Sequence, residues 1–400
     1  VTYEQAVQRL YALGNELKHA KFDLEGIRGL LAPLGNPERI GRYVHVAGTN
    51  GKGSTSAMIE SGLRHAGMRT GLYTSPHLLE PTERIQIGGV PVSREEFARA
   101  FQRIAEPTTY FETVTAMAFL IFAERAEITV LEVGLGGRLD ATNVVQPELC
   151  VITPIDFDHE AILGKSIEAI ASEKAGILKP GVPAVFAPQR PEALRVLRER
   201  AEPLPLLEAE GIELHRRGSR FRVGGLTIEC PLAGAHQVDN ARVAITALRH
   251  LGLSDHAIQE GIAAARWPGR LERLRDNPEL IVDGAHNPAG ARALADYVDR
   301  FYGSERCTLI FGAMRDKSIE EIAEILFPKF AEVILVAPKQ PRAMNAEVLR
   351  GIVEHPAVRT AASLEEAIAQ SPGTTFVSGS LFLVGETRQL FPDSAGQARI

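Results

Sequence analysis

Cysteine is scarce in this chain: 400 residues hold three, Cys150, Cys230 and Cys307. They are far apart, odd in number and form no C-x-x-C pair, which excludes a disulfide framework and a thiolate zinc site and fits a reducing cytoplasm. Long apolar runs are also missing; no uncharged stretch approaches the roughly 20 residues that cross a bilayer. The first thirty residues carry Glu4, Glu16, Asp23 and Glu25 in an amphipathic pattern, unlike the basic and apolar regions of a signal peptide. A surplus of positive charge is absent as well. Lys plus Arg number 44 against 50 Asp plus Glu, a net −6, which leaves no basic footprint for nucleic acid or an anionic membrane. No internal repeat or low-complexity tract appears.

What is present is an ordinary globular composition, 45% hydrophobic and 24% charged, in a chain long enough for two or three domains. Val- and Ile-rich segments alternate with helical patterns, the signature of parallel β/α units, so the fold class is α/β. Strands are expected at Tyr43 to Ala47, Thr70 to Tyr73, Ile128 to Val133, Leu149 to Ile155 and Ala184 to Ala187. The segment Leu206 to Ile228 reads as short strands and turns that give the sheet an antiparallel edge. Helices are expected at Tyr3 to Leu13, Leu24 to Leu34, Ser54 to His65, Phe97 to Ala105, Thr113 to Arg125, Ile167 to Leu178, His236 to Leu251 and His256 to Ala265. Trp267-Pro268-Gly269-Arg270 then interrupts the pattern. The division expected is 1–267, a linker at 268–272 and a second α/β domain over 273–400, with strands at Leu280 to Asp283, Thr308 to Phe311, Val333 to Val336 and Thr375 to Val377.

The chemistry collects behind strands. Gly48-Thr-Asn50-Gly51-Lys52-Gly53-Ser54-Thr55 lies between a strand and a helix, where backbone amides and the helix amino end surround phosphate oxygens and Lys52 adds charge. It departs from the Walker pattern: Val46 occupies the first glycine position and Gly53 the hydroxyl position, so Ser54 comes one place late. Glu132 stands inside the apolar strand Ile128 to Val133, ahead of Gly134-Leu-Gly136-Gly137-Arg138-Leu-Asp140-Ala-Thr142-Asn143. A buried carboxylate costs several kcal/mol unless a cation or donors meet it. Mg²⁺ and a Lys or Arg from a neighbouring strand both answer that need. Ser75-Pro76-His77 follows one strand and Asp156-Phe-Asp158-His159 another. Phosphate loop, Ser75, Glu132 and His159 thus sit at the carboxyl ends of successive strands, where ligands bind in open α/β sheets. Glu173-Lys174 alone reads as a solvated helix face. In the second domain a strand runs into Asp283-Gly-Ala-His286-Asn287-Pro288, in which Asn287 caps the next helix and Pro288 takes its first position.

Taken together, Gly48-Thr-Asn-Gly-Lys-Gly-Ser, Ser75-Pro-His-Leu, Tyr110-Phe111-Glu, Glu132-Val-Gly-Leu-Gly-Gly-Arg-Leu-Asp-Ala-Thr-Asn, Asp158-His159, Glu173-Lys-Ala-Gly, Pro268-Gly-Arg270 and Asp283-Gly-Ala-His-Asn-Pro resemble the folylpolyglutamate synthase/dihydrofolate synthase branch of the Mur ligases. The ordered match extends to Gly379-Ser380-Leu-Phe-Leu-Val-Gly-Glu386, nearly the whole chain.

The resemblance implies an ATP-binding phosphate-loop domain followed by a smaller Rossmann-like domain. Together they would form an ATP-dependent ligase that joins L-glutamate to dihydropteroate or to reduced folates through an acyl phosphate. By the family pattern Asn50, Gly51, Lys52, Gly53 and Ser54 hold the ATP phosphates, and Asn240, Arg270 and Asp283 contact ATP, which would then bridge the domains. Ser75, Glu132 and His159 correspond to magnesium ligands, and Lys174 to a lysine carried as a carbamate. Lys52, Lys174 and His286 take catalytic places, and Phe111, Arg138, Asp140 and Ser380 substrate contacts. A monomer working on small molecules in the cytoplasm, without nucleic acid or membrane, is expected. The alternatives are a cell-wall Mur ligase, disfavoured by the Ser75-Pro-His-Leu and Gly-Gly-Arg-Leu-Asp-Ala-Thr-Asn segments, and a non-catalytic nucleotide switch, disfavoured by Asp283 and His286.

Overall fold

The structure, a computed structural model, describes residues 1–14 and 23–392; the last eight residues of the expected second domain lie outside it. Cα packing divides the chain into two units. The first comprises Val1–Glu210, Arg222–Ile228 and Asp239–Ala265; the second comprises Gly211–Phe221, Glu229–Val238 and Arg266–Ile400.

The first unit is built on a seven-stranded sheet. Its strands are β1 (Arg42–Ala47), β2 (Thr70–Tyr73), β3 (Ile85–Ile87), β4 (Val90–Pro91), β5 (Ile128–Glu132), β6 (Leu149–Ile152) and β7 (Ala184–Phe186), in the order β4-β3-β2-β5-β1-β6-β7. The run β2-β5-β1-β6-β7 is parallel, and its registers set Val46 beside Glu132 and Ala47 beside Ile152. β1, β2, β5 and β6 are apolar with almost no alternation because both faces are covered. On one face lie Tyr3–Ala12, Glu25–Leu31, Arg94–Gln102 and Tyr110–Arg125, around Tyr43, Tyr73, Phe97, Phe119 and Phe122. The helix Tyr110–Arg125 has apolar residues all round and is buried over most of its length. It starts three residues before its expected start because Thr109 and Glu112 close a capping box. Ser93 and Glu96 likewise advance the start of the next helix upstream to Arg94.

The antiparallel edge differs from expectation. It consists of β3 and β4, joined through Gly88 and Gly89 at φ 60° and 76°, the left-handed pair of a tight hairpin turn. The 206–228 region instead contributes β8 (Ala209–His215), β9 (Gly218–Val223) and β10 (Leu226–Cys230), a separate three-stranded sheet in the order β10-β9-β8.

In the second unit a six-stranded sheet runs β11-β12-β16-β13-β14-β15. Its members are β11 (Glu272–Asp276), β12 (Glu279–Val282), β13 (Thr308–Phe311), β14 (Glu332–Leu335), β15 (Val358–Thr360) and β16 (Thr375–Ser378). All neighbours are parallel except the edge strand β11. Pro288–Tyr302 and Ile319–Leu326 cover a core centred on Phe311, Phe327 and Phe376. No helix among the described residues is long and apolar enough to cross a membrane.

Candidate active site

β1 delivers the phosphate loop. After Ala47 the chain passes Gly48 at φ 149° and Gly51 at φ 84° and enters the helix Lys52–His65. A side chain at Gly48 would collide with Thr153 at the end of β6, and one at Gly51 with the Asn240 carboxamide. Glycine is required at both, by backbone and by space. Thr49 N donates to Pro154 O at 2.9 Å and Thr49 Oγ1 to Asp156 O at 3.0 Å, so the loop is sewn to the chain leaving β6. Gly51 serves as N-cap without a side chain of its own, which leaves the first amides of the helix facing a site suited to an anion. Gly62 of this helix packs directly on Gly261 of Asp255–Ala264. That close approach seats the helix.

Neighbouring strand ends bring the other groups. Ser75 lies two residues past β2, Glu132 ends β5, and Asp158 and His159 follow β6. These four strands are adjacent in the order β2-β5-β1-β6, so the expected meeting of phosphate loop, Ser75, Glu132 and His159 on one sheet edge is present. Glu132 is 5% exposed and accepts from Ser75 N at 3.2 Å. His159 occupies the left-handed region at φ 53°, and its N–H donates to Asp158 Oδ1 at 2.9 Å. The described residues contain no group of three or more His, Cys, Asp and Glu poised around a metal. The Glu132 carboxylate and Ser75 hydroxyl are hard oxygen donors of the kind magnesium takes beside waters and phosphate oxygens, and the His159 imidazole is a softer third donor.

Lys174 departs from the solvated-face reading: it is 5% exposed, and its Nζ donates to Gly48 O at 2.8 Å. Burial, with Lys52 nearby, pushes its ammonium down to about 7. Lys52 itself donates to Thr49 O at 3.2 Å.

The segment after Glu132 is the second part of the site. Asp140 is buried and accepts from Gly134 N (3.0 Å), Leu135 N (2.9 Å) and Thr142 N (3.0 Å). Its carboxylate organises the loop. Arg138 is half-exposed and pairs with Glu173 at 2.8 Å, while Arg138 N donates to Glu173 O at 2.8 Å. The Phe111 ring lies against Gly134, where any Cβ would stand 2.5 Å from Phe111 Cζ. Sequence reasoning missed His45, whose Nε2 lies 2.8 Å from Thr142 Oγ1. It missed the bond from Arg84 Nε to His77 Nδ1 at 2.8 Å as well. A histidine inside the β1 run was the one available signal for the first; nothing in spacing announced the second.

The second unit gathers Asp283, His286 and Ser380 at the ends of adjacent strands β12 and β16. Asp283 accepts from Leu271 N and Ala285 N, both at 2.9 Å. His286 Nδ1 lies 2.7 Å from Gly284 O. Asn287 caps the following helix with Pro288 in its first turn, as expected, and Ser380 caps Leu381–Leu390. Arg270 lies against Gly284.

Family models for the Mur ligase middle domain and the Mur ligase glutamate ligase domain match residues 46–248 and 269–384. A dihydrofolate synthase/folylpolyglutamate synthase of Bacillus subtilis is 40% identical over 333 residues, covering 75% of this chain and 77% of the relative. The chain belongs to the Mur ligases, in their folylpolyglutamate/dihydrofolate synthase branch. Solved structures of this branch superpose closely. Mycobacterium tuberculosis folylpolyglutamate synthase complexed with ADP and AMPPCP gives a TM-score of 0.89 at 32% identity, covering 97% of this chain and 99% of that one. E. coli FolC in complex with DHPP and ADP gives 0.88 at 29% identity, covering 99% of both. As a Mur ligase the chain is an ATP-dependent ligase, and the resemblance read from its motifs holds.

Proposed function

We propose that this Mur ligase joins L-glutamate to dihydropteroate and to reduced folate (poly)glutamates. A substrate carboxylate oxygen attacks the γ-phosphorus of ATP and ADP leaves; the glutamate amine then attacks the acyl phosphate carbon, releasing phosphate and a proton. The observation carrying this reading is the convergence of the phosphate loop, Ser75, Glu132 and His159 on four adjacent strand ends. Transfer between two anions asks for charge neutralisation and positioning more than for a protein nucleophile.

Asn50 to Ser54 hold the ATP phosphates in this scheme, with Lys52 neutralising charge, and Asn240, Arg270 and Asp283 complete the nucleotide contacts. Ser75, Glu132 and His159 would hold Mg²⁺, which when bound neutralises developing charge on the phosphoryl oxygens. Phe111 and Arg138 face the pterin, and Asp140 acts on it indirectly, through the loop that it holds. His286 serves the glutamate side directly, and Ser380 indirectly, through the helix that it caps.

Lys174 is carried as a carbamate. Its amine, unprotonated in substantial fraction near neutral pH, attacks the carbon of CO₂ and loses a proton to solvent, which replaces a cation buried near Lys52 with an anion. The protein acts as a cytoplasmic monomer, a reading supported by three buried free cysteines and by scattered exposed apolar side chains such as Tyr11, Ile40 and Val348.

The deciding experiment is glutamate-dependent phosphate release from ATP and Mg²⁺, run on dihydropteroate and on reduced folate monoglutamate with products identified by mass. Turnover of both is expected. Turnover of one assigns the branch, and turnover of neither transfers the protein to another Mur ligase reaction.

A further inference from the structure

Inside the first unit, one fully buried group serves neither the core nor any role assigned above. His45, in the middle of β1, is 0% exposed and held neutral, pushed down to about 3 by burial with a contribution from Lys179. Its Nε2 stands 2.8 Å from Thr142 Oγ1, which stands 2.5 Å from Asp140 Oδ1. Its Nδ1 is buried without a hydrogen-bond partner among the described residues. An imidazole with one ring nitrogen unsatisfied is an expensive way to fill a strand position that valine or leucine would fill.

The directions of these bonds follow from proton counting. Three backbone N–H groups converge on the two oxygens of Asp140: Thr142 on Oδ1, Gly134 and Leu135 on Oδ2. Burial raises the Asp140 carboxyl on balance, against the opposing pull of the Thr142 hydroxyl and of these three amides; three N–H donors aimed at both oxygens are still the pattern of a carboxylate, which only accepts. The single hydroxyl proton of Thr142 therefore goes to Asp140. The oxygen of Thr142 must then accept from His45, which places the imidazole proton on Nε2 and leaves the bare nitrogen at Nδ1.

We propose that His45 is a positioning residue for the loop that follows Glu132: it donates to Thr142, Thr142 donates to Asp140, and Asp140 holds the amides of Gly134 and Leu135. The chain of bonds begins at His45 in β1 and ends at Gly134 and Leu135, two and three residues after Glu132, so the Phe111-facing loop is held from β1. The loop is clasped on its other side, where Arg138 N donates to Glu173 O. Neutrality suits the role, because a permanently charged group at this depth would need a counter-charge that β1 does not offer.

The kinetic part of the test rests on the ligase function proposed above; the exchange part does not. His45→Leu removes the donor, Thr142→Val removes the relay at similar volume, and His45→Gln restores an N–H donor of comparable reach. In the full-length protein, His45→Leu is expected to raise KM for the pterin-bearing substrate about tenfold, the loss of one buried hydrogen bond, with KM for ATP and kcat each within about threefold. His45→Gln is expected to recover most of that loss, and His45→Leu combined with Thr142→Val to be no worse than Thr142→Val alone.

Hydrogen exchange supplies the independent readout: amides of 134 and 135 exchange about tenfold faster in His45→Leu, and those of β1 stay protected. If His45→Leu does not fold, Thr142→Val breaks the same relay from its other end. Loss of thermal stability with unmoved exchange at 134 and 135 would overturn the proposal, as would a His45→Gln variant no better than His45→Leu. A wild-type protein inactive on every folate removes the ligase reading while the exchange comparison still decides the role of His45.

Discussion

The two open sheets of this chain present their strand ends differently. In the first unit, Glu132 and Lys174 are each 5% exposed, and their side chains bond the backbone of Ser75 and of Gly48. In the second, Asp283, Asn287 and Ser380 each accept from an amide two or three residues on, and Asp283 also from Leu271 N. Both edges look alike as sequence, a strand running into glycine and polar residues. Their physics is distinct. On the function proposed above, the first edge holds charge whose burial phosphate and metal would offset; the second uses polar side chains to shape turns and cap helices. Tolerance to mutation should follow that division.

The most damaging change expected is Glu132→Gln. It removes one negative charge at nearly constant volume, so ATP turnover should fall by on the order of 10³ while thermal unfolding stays near wild type. Phosphate-release kinetics beside a melting curve checks both halves, and retained turnover would falsify the magnesium assignment.

Lys174→Ala follows, with ligation reduced by roughly 10² and partly restored by added short carboxylates; no rescue, together with an intact mass lacking the carbamate, would reduce Lys174 to a structural amine. The same residue has a pH signature. Its folded pKa, about 7, lies below the unfolded value, so the folded state binds fewer protons between about pH 7 and 10.5. The charge penalty is complete below about pH 7 and relieved as pH rises through that window. Lys174→Met, free of the penalty, should therefore gain most over wild type near pH 6 and lose that advantage by pH 10 when CO₂ is excluded; urea midpoints at the two pH values measure it.

Third is Gly51→Ala, which meets both a left-handed φ and the Asn240 carboxamide. Affinity for ADP should drop by about five- to 150-fold, the equivalent of the roughly 1–3 kcal/mol that a misfitted backbone costs. Calorimetric titration reads it directly, and unchanged affinity would detach the loop geometry from nucleotide binding.

Much of this was legible before any coordinates. β2 and β13 fall at their expected residues, because each is a short, largely apolar run opened by a β-branched threonine and followed by turn residues. The phosphate loop, Glu132 and His159 were legible because glycine, lysine and an acid inside an apolar strand each have few structural uses. The hairpin β3–β4 was not read, although Ile87-Gly-Gly-Val90 carries its turn. Two short strands lack a period long enough to stand out from loop. Lys174 was misjudged for a different reason: Glu173 and Lys174 look alike in a helix, yet Gly137 presses on that turn's backbone and buries only the lysine. Long-range relays such as His45 to Asp140 span 95 positions of sequence by simple difference of residue number, and no local pattern encodes a partner so far away.

The smallest effect expected belongs to the second edge and tests the comparison most sharply. Ser380→Ala removes the N-cap oxygen that accepts from Phe382 N at 3.1 Å, a change worth about 1 kcal/mol of stability. If the second edge is shaped by its own turns, the melting temperature should fall by a few degrees and kcat/KM for glutamate by no more than about fivefold, the kinetic equivalent of a slightly displaced turn. Asn287→Ala, which loses the bond from Gly290 N at 2.9 Å, should behave the same way. A Ser380→Ala variant of wild-type stability whose KM for glutamate rises a hundredfold would mean the reverse: the hydroxyl touches substrate, and the second edge resembles the first.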